Sequence, residues 1–344
     1  MIEQEKFPAN SLYDRTLFPI DSAQKIQYGI FSKIKNRNSL ILTCENSKDY
    51  RIVLLDAKSP NSQILYRNGT PINNRQLKDF KTQQEKIFHH EKSGLIIYSS
   101  RKLAEYRSLI VFKQSKGKLK KLLDLTLSFS SNRDLDFIPK SFSIITLSSS
   151  TMSICNPLNL NKVKASLTRE YLKESQFCAC SYIPEKDLIV LLGIEELYLI
   201  RYTENNYLTI LYSIYSPLRE RTTFLYMDLW ASYVGLYMKS EEVGAFSYPP
   251  EMKFVLFEVT EDDALQQRGS FSSEFHMKGI VLVRKKAFFC YLESQPKWQF
   301  LVPLPFKKIQ KEKKVDFGIV KVVNNNGDQI IVLNTGKYYL VNLM

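Results

Sequence analysis

Apolar runs of four to eight residues recur along this 344-residue chain, separated by short polar turns of Asn, Gly, Pro, Asp and Lys. The first group is Tyr28–Ile34, the turn Lys35–Asn38, Leu40–Cys44, the turn Asn46–Asp49 and Arg51–Leu55. Further groups are Lys86–His90 with Leu95–Tyr98, Phe177–Ile183 with Leu188–Leu192, and Phe317–Val323 with Gln329–Leu333 and Lys337–Leu343. Runs of this length, bounded by turn formers, predict strands. The middle run of each group is the least polar, as in Leu188-Ile-Val-Leu-Leu192 and Gln329-Ile-Ile-Val-Leu333. Continuous apolarity of that kind predicts strands covered on both faces.

The middle runs begin near Ser39, Leu95, Phe142, Leu188, Ser232, Gly279 and Gln329, at steps of 56, 47, 46, 44, 47 and 50 residues. Such a period predicts a repeated unit that cannot bury both faces alone and must pack on its neighbours. The expected fold is all-β, a single β-propeller over residues 1–344 with seven four-stranded blades, against six or eight. The final group is one strand short. The N-terminal run Leu12–Ile20 is expected to supply it, pairing the two ends of the chain and removing an exposed edge.

On this spacing, and on the polar turns between first and second strands, the chain resembles the WD40-like propeller superfamily over nearly its whole length. The resemblance is one of layout. No unit has the Gly-His start or the Trp-Asp end, since Trp230 precedes Ala231 and Trp298 precedes Gln299. Phosphoinositide-binding propellers carry a Phe-Arg-Arg-Gly motif, for which Arg284-Lys285-Lys286 is a poor substitute.

Three stretches break the pattern and are expected to be excursions between blades, near 67–88, 156–176 and 240–273. In the first, Leu77, Phe80, Gln84 and Ile87 have helical spacing. In the second, Val163, Leu167 and Tyr171 fall at i, i+4 and i+8. Each predicts one short helix or a plain connecting loop. The third, with Pro249-Pro250 and Thr260–Ser273, reads as an irregular insertion.

Composition fits a globular chain with a real core: 44% hydrophobic and 24% charged residues. No run of eighteen apolar residues occurs, and Met1–Lys6 does not resemble a secretory signal. Five cysteines at irregular positions do not suggest a disulfide framework. These features predict a nuclear or cytoplasmic chain, with the nucleus favoured. Cys178 and Cys180, two apart on a strand, are expected on one face and in the core.

Charge sharpens the picture. The net +13 is concentrated in Arg101–Lys121, at +7, and Lys278–Lys314, at +8, while the rest sums to −2. Turns from second to third strands, and from fourth strands to the next blade, open on one face of a propeller. Arg101, Lys102, Arg284, Lys285 and Lys286 read as the first kind of turn; Arg219, Arg221, Lys307, Lys308, Lys311, Lys313 and Lys314 read as the second. One face is thus expected to be basic and to bind an anionic partner. Lys116, Lys118, Lys120 and Lys121 are expected on the opposite face. Lys307–Lys314 also reads as a nuclear import signal. Of Tyr202, Tyr207, Tyr212 and Tyr215, at least half are expected in the core.

Catalytic motifs are missing. There is no phosphate loop, no Gly-x-Ser-x-Gly and no His-Glu-x-x-His. His89, His90 and His276 read as ordinary surface histidines. The acid pairs Glu195-Glu196, Glu241-Glu242 and Asp262-Asp263 read as solvated turn acids. No cofactor or metal is expected. The resulting expectation is a non-catalytic scaffold subunit of a larger nuclear eukaryotic complex, whose partners are other protein subunits and RNA or DNA. The alternatives are a propeller hydrolase with carboxylates near the axial channel, and an adaptor for anionic membrane surfaces.

Overall fold

The computed structural model describes residues 15–17, 25–34, 37–45, 50–56, 62–68, 85–103, 106–115, 118–128, 133–203, 205–220, 222–230, 232–240, 252–273, 277–283, 286–291, 298–303, 311–314, 318–322, 329–334 and 337–342, with side-chain packing described within residues 86–270. Among them, the strands form seven four-stranded antiparallel sheets. The short strand β1 (Arg15–Leu17) precedes the meander β2 (Lys25–Ile34), β3 (Arg37–Glu45), β4 (Tyr50–Asp56) and β5 (Ser62–Asn68). Next come β6 (Glu85–His90), β7 (Leu95–Leu103), β8 (Tyr106–Ser115) and β9 (Lys118–Ser128), then β10 (Asp134–Ile138), β11 (Ser143–Leu147), β12 (Thr151–Asn156) and β13 (Asn159–Thr168). After the one-turn helix α1 (Arg169–Leu172) follow β14 (Phe177–Ile183), β15 (Leu188–Gly193), β16 (Glu196–Tyr202) and β17 (Leu208–Tyr215). A 3-10 turn, Pro217–Glu220, leads into β18 (Thr222–Trp230), β19 (Tyr233–Ser240), β20 (Met252–Val259) and β21 (Leu265–Ser273). The last strands are β22 (Met277–Val283), β23 (Lys286–Tyr291), β24 (Trp298–Pro303) and β25 (Lys311–Lys314), then β26 (Gly318–Val322), β27 (Gln329–Asn334) and β28 (Lys337–Asn342).

The chain divides into two compact units, Ile72–Phe275 and a second made of Met1–Pro71 with His276–Met344. In the second, β1 pairs with β28 in the register Arg15↔Val341, Thr16↔Leu340, Leu17↔Tyr339. The sheet of β26, β27 and β28 therefore takes its fourth strand from the other end of the chain.

In the unit Ile72–Phe275 the core is layered between sheets. Every residue of β15 is buried. Leu188, Val190 and Leu192 pack with Val234, Leu236 and Met238 of β19, whereas Ile189 and Leu191 pack with Ile145 and Leu147 of β11. Alternate side chains of one strand thus complete two different cores, the physical reason for its unbroken apolarity. A third layer joins Leu95 and Ile97 of β7 to Leu135, Phe137 and Ile144.

Several expectations change. Among residues 67–88, those from 69 to 84 lie outside the described residues, and Ile87 is a buried strand residue of β6. The segment 156–176 is chiefly β13, with helix only at Arg169–Leu172. Spacings of four and eight are even, so they fit a strand face as well as a helix face. The segment 240–273 supplies β20 and β21, the third and fourth strands of their sheet, while Pro249-Pro250 lies outside the described residues. Gly279–Val283 is the first strand of its sheet and Lys286–Tyr291 the second, so the step from Tyr233 to Lys286 is 53 residues. Apolarity alone does not identify the second strand when the first is equally apolar in sequence. Cys178 and Cys180 face opposite cores, because a bulge at Cys178 interrupts the alternation between Phe177 and Ala179.

That bulge recurs. The first strands β2, β14, β18, β22 and β26 are each interrupted near their start, and the fourth strands β5, β9, β13, β17 and β21 each carry one against their inner neighbour. Bulges increase local twist and bend the strand that carries them. The repeat is thus stronger in the backbone than in the side chains.

Candidate interaction surfaces

The first strands β6, β10 and β14 are stitched together by charged side chains. Lys86 donates from Nζ to Asp134 Oδ1 and to the Leu135 carbonyl, both at 2.8 Å. Asp134 Oδ2 accepts the Cys180 N–H at 3.2 Å. Two residues on, Asp136 Oδ2 accepts the Ser181 hydroxyl at 2.7 Å and the Tyr182 N–H at 2.9 Å. Arg133 donates to the Phe177 carbonyl, and Arg107 to Ser99 Oγ and the Arg133 carbonyl.

Burial alone would depress the Lys86 ammonium, but the Asp134 and Asp136 carboxylates hold it above the usual lysine range. Burial pushes the Asp136 carboxyl up, against the pull of Lys86 and the Ser181, Tyr182 and Phe137 donors. Both oxygens of each aspartate accept hydrogen bonds, with Leu135 and Phe137 N–H groups completing the set. Their chemistry is therefore structural: they join sheets. The alternation Asp134-Leu-Asp136-Phe was the sequence signal for this, two acids on one face of an otherwise apolar strand.

A second buried carboxylate organises the turn between β15 and β16. Glu174 accepts the N–H groups of Glu195 at 2.9 Å and Glu196 at 2.8 Å, and the Tyr198 hydroxyl at 2.9 Å. Its carboxylate occupies the space a Cβ would need at Gly193. Glu195-Glu196 is thus a turn held through its backbone. Glu241-Glu242 lies outside the described residues, and Asp263, in the turn between β20 and β21, pairs with Arg201. His90 Nδ1 lies 2.8 Å from Ser93 Oγ and its ring lies 4.8 Å from that of Phe142, tilted by 45°, with burial lowering its proton affinity. His89 is likewise lowered by burial.

The expected anion-binding residues fall in several places. Arg101 and Lys102 lie at the end of the second strand β7, and Arg219 lies in the 3-10 turn after the fourth strand β17. Arg221, Arg284, Lys285, Lys307 and Lys308 lie outside the described residues. Lys286 opens β23 opposite Val283. Arg284-Lys285-Lys286 therefore falls between first and second strands rather than second and third, a correction that follows from the strand order of that sheet. Lys311, Lys313 and Lys314 form most of the fourth strand β25 instead of a connecting loop.

The basic surface best defined by geometry is the hairpin of β8 and β9. Lys113 stands directly opposite Lys120, and both are exposed. Exposed Lys121 pairs with Asp124 at 2.8 Å and Lys118 opens β9, while Lys116 lies outside the described residues. Like charges directly opposite on a sheet are unfavourable. A bound anion would relieve that repulsion.

Several tyrosines are also exposed, singly. Tyr202 is buried, but Tyr171, Tyr207 and Tyr215 are more than two-thirds exposed, at 72%, 70% and 73%, and Tyr212 is also exposed. The expectation that at least half of the four β16–β17 tyrosines are core is corrected, since β17 is an outer strand.

Solved structures place the architecture. A chain from the mitotic checkpoint complex is similar with a TM-score of 0.55 at 7% identity, covering 96% of this chain and 95% of that one. Chaetomium thermophilum Sqt1 bound to the N-terminus of ribosomal protein L10 is similar at 0.51 and 12% identity, covering 88% and 80%. The fold is that of the WD40-like propellers. A Lactobacillus plantarum protein has the same layout at a TM-score of 0.53 and 13% identity, covering 84% of this chain and 85% of that one. At such identities the likeness is one of fold alone. No protein-family model and no curated protein matches the chain. Among the described residues no group of His, Cys, Asp and Glu is arranged to hold a metal, and no helix is long and apolar enough to cross a membrane.

Proposed function

We propose that this chain is a non-catalytic propeller scaffold, a subunit of a larger eukaryotic complex, and that its lysine hairpin engages an acidic segment of a partner protein. In this reading the seven sheets are the blades of one propeller closed by β1 on β28. The observation that carries the partner assignment is the exposed Lys113–Lys120 pair, two cations in direct cross-strand register. Support for a protein partner comes from similar propellers that sit in the mitotic checkpoint complex and on the N-terminus of ribosomal protein L10. Support for a nuclear setting is the run Lys307–Lys314. Arg101, Lys102, Arg219, Arg221, Arg284, Lys285 and Lys286 extend the proposal as further basic positions, with nucleic acid the competing anion.

A labelled polyglutamate peptide and a single-stranded RNA of equal charge, titrated at low salt, test this reading. The double charge reversal Lys113→Glu and Lys120→Glu is expected to weaken peptide binding about tenfold or more, with binding of the wild type falling steeply as salt is raised. Unchanged binding by the double variant would sink the assignment. Binding of the RNA alone would transfer it to nucleic acid.

A further inference from the structure

The sheets β6–β9 and β10–β13 meet along an apolar seam. Leu95, Ile97, Leu109 and Val111 of the first pack with Leu135, Phe137, Ile144 and Cys155 of the second. Rings close one end of it, with His90 4.8 Å from Phe142 and 6.0 Å from Phe137. From the outer strands, Leu123 of β9 and Leu160 of β13 pack against the same core.

Register fixes which side chains stand at the rim of that end. Lys113 is opposite Leu95, which is opposite His90. Directly opposed residues share a face of the sheet, so Lys113 shares the seam face with Leu95, as its alternation with Leu109 and Val111 also requires. Lys120 stands opposite Lys113, and the bulge at Leu122, between Lys121 and Leu123, leaves that pairing intact. Both lysines are exposed, so they lie beyond the buried part of the seam. On the other sheet, Val163 is opposite the seam residue Cys155, which is opposite Ile144, close to Phe142. The extra residue of the bulge there is Lys164; past it, Ala165 and its partner Ile154 turn to the other core. Val163 therefore lies on the seam face, and it is 52% exposed.

Among the described residues no carboxylate answers these cations. Lys113, Lys120 and the exposed Lys162 form no ion pair there. Lys164 donates to the Ser141 carbonyl at 3.1 Å and the Ser143 hydroxyl at 2.7 Å, both uncharged. Burial and then the Lys162 charge lower its proton affinity, so positive charge accumulates at this corner. The rim thus joins uncompensated cations from two sheets to an exposed branched aliphatic. A phosphate backbone would match the cations alone, whereas an acidic peptide carrying an apolar side chain matches both.

We propose that the acidic partner segment lies along this rim, with its carboxylates on Lys113, Lys120 and Lys162 and one aliphatic or aromatic side chain packed on Val163. The proposal rests on the reading of the lysine hairpin as an acidic-peptide site and adds to it a second wall, β13, and an apolar anchor. Charge alone gives salt-labile binding with little choice among anions. Burial of one apolar side chain adds about tenfold in affinity and persists in salt.

Two short labelled peptides, one all glutamate and one with a phenylalanine at its centre, are titrated onto the full chain at about 50 and 300 mM salt. The phenylalanine peptide is expected to bind about tenfold tighter and to keep that advantage at the higher salt. Val163→Ser should abolish the advantage and leave polyglutamate binding unchanged, while Lys162→Gln should weaken both peptides severalfold. An unchanged circular dichroism spectrum and urea midpoint show that each variant folds. Lys173→Asn, which removes an exposed lysine elsewhere on this unit, should change neither affinity. A benzophenone in place of the phenylalanine is expected to crosslink to residues 158–164. Equal binding of the two peptides by the wild type, an advantage that survives Val163→Ser, or crosslinks confined to other segments overturns the inference. The hairpin reading survives those results if Lys113→Glu with Lys120→Glu still abolishes binding. Normal binding by that double variant overturns both.

Discussion

Lys86, Asp134 and Cys180 show how a few polar atoms align three sheets. The pair is only partly exposed, at 14% and 17% of the side chains, so removing one partner leaves a charge in a poorly solvated site. Asp134→Ala is expected to cost about 3–5 kcal/mol in urea unfolding, whereas Lys86→Met with Asp134→Leu should recover much of it. A loss under 1 kcal/mol in the single variant would mean that the seam contributes little. Gly193→Ala should displace Glu174 and strand two turn N–H groups, at about 1–3 kcal/mol in the same assay. Burial pushes the Cys178 thiol up to about 11. Between its unfolded value near 8.5 and 11, the unfolded chain loses that proton while the folded chain keeps it, so stability falls as pH rises through this window. Alkylation of Cys178 in the native protein should accordingly be slow at pH 8 and accelerate above pH 10; rapid labelling at pH 8 would contradict its buried setting.

At the scale of elements, the unbroken apolarity of β15 follows from its position between two cores. Leu191→Ala is expected to cost about 2–5 kcal/mol, with the midpoint of urea unfolding as the readout. This strand was legible in the sequence because burial on both faces leaves no room for polar residues, and the buried apolar stretches Leu95–Tyr98 and Ile144–Ile145 marked β7 and β11 in the same way. β22 was misplaced for the same reason: two consecutive strands of its sheet are apolar, and nothing in Gly279–Val283 marks it as first. The fourth strands were hardest to read. β9, β13, β17 and β21 each have exposed positions and a bulge, so β13 looked helical and β21 looked irregular. The opposed faces of Cys178 and Cys180 were hidden by another bulge, which shifts the alternation without leaving a distinctive residue. The charged seam lay open in Asp134-Leu-Asp136-Phe, but its partners, Lys86 and Ser181, are distant in sequence. Lys113 and Lys120 become neighbours only when the β8–β9 register sets them opposite one another.

For the whole molecule, the WD40-like layout explains why the side-chain signature of the repeat is weak while its backbone is regular. What recurs among the described sheets is the four-stranded antiparallel arrangement and a bulge in each of them. Here Asp136 reaching Ser181 and Tyr182 joins neighbouring sheets, and Glu174 holds the β15–β16 turn through its backbone. In the proposed scaffold role, the lysine hairpin of β8 and β9 is the surface offered to a partner.

Closure of the chain on itself is the claim on which the scaffold reading stands, and a single crosslink tests it. Thr16 and Leu340 are direct cross-strand partners between β1 and β28. Thr16→Cys with Leu340→Cys, oxidised in the folded protein, is expected to form an intramolecular disulfide that slows unfolding and raises the urea midpoint, because the bridge restrains nearly the whole chain. If the two thiols stay reduced under oxidation, or bridge only between molecules, the ends do not pair and the ring is not closed in this way.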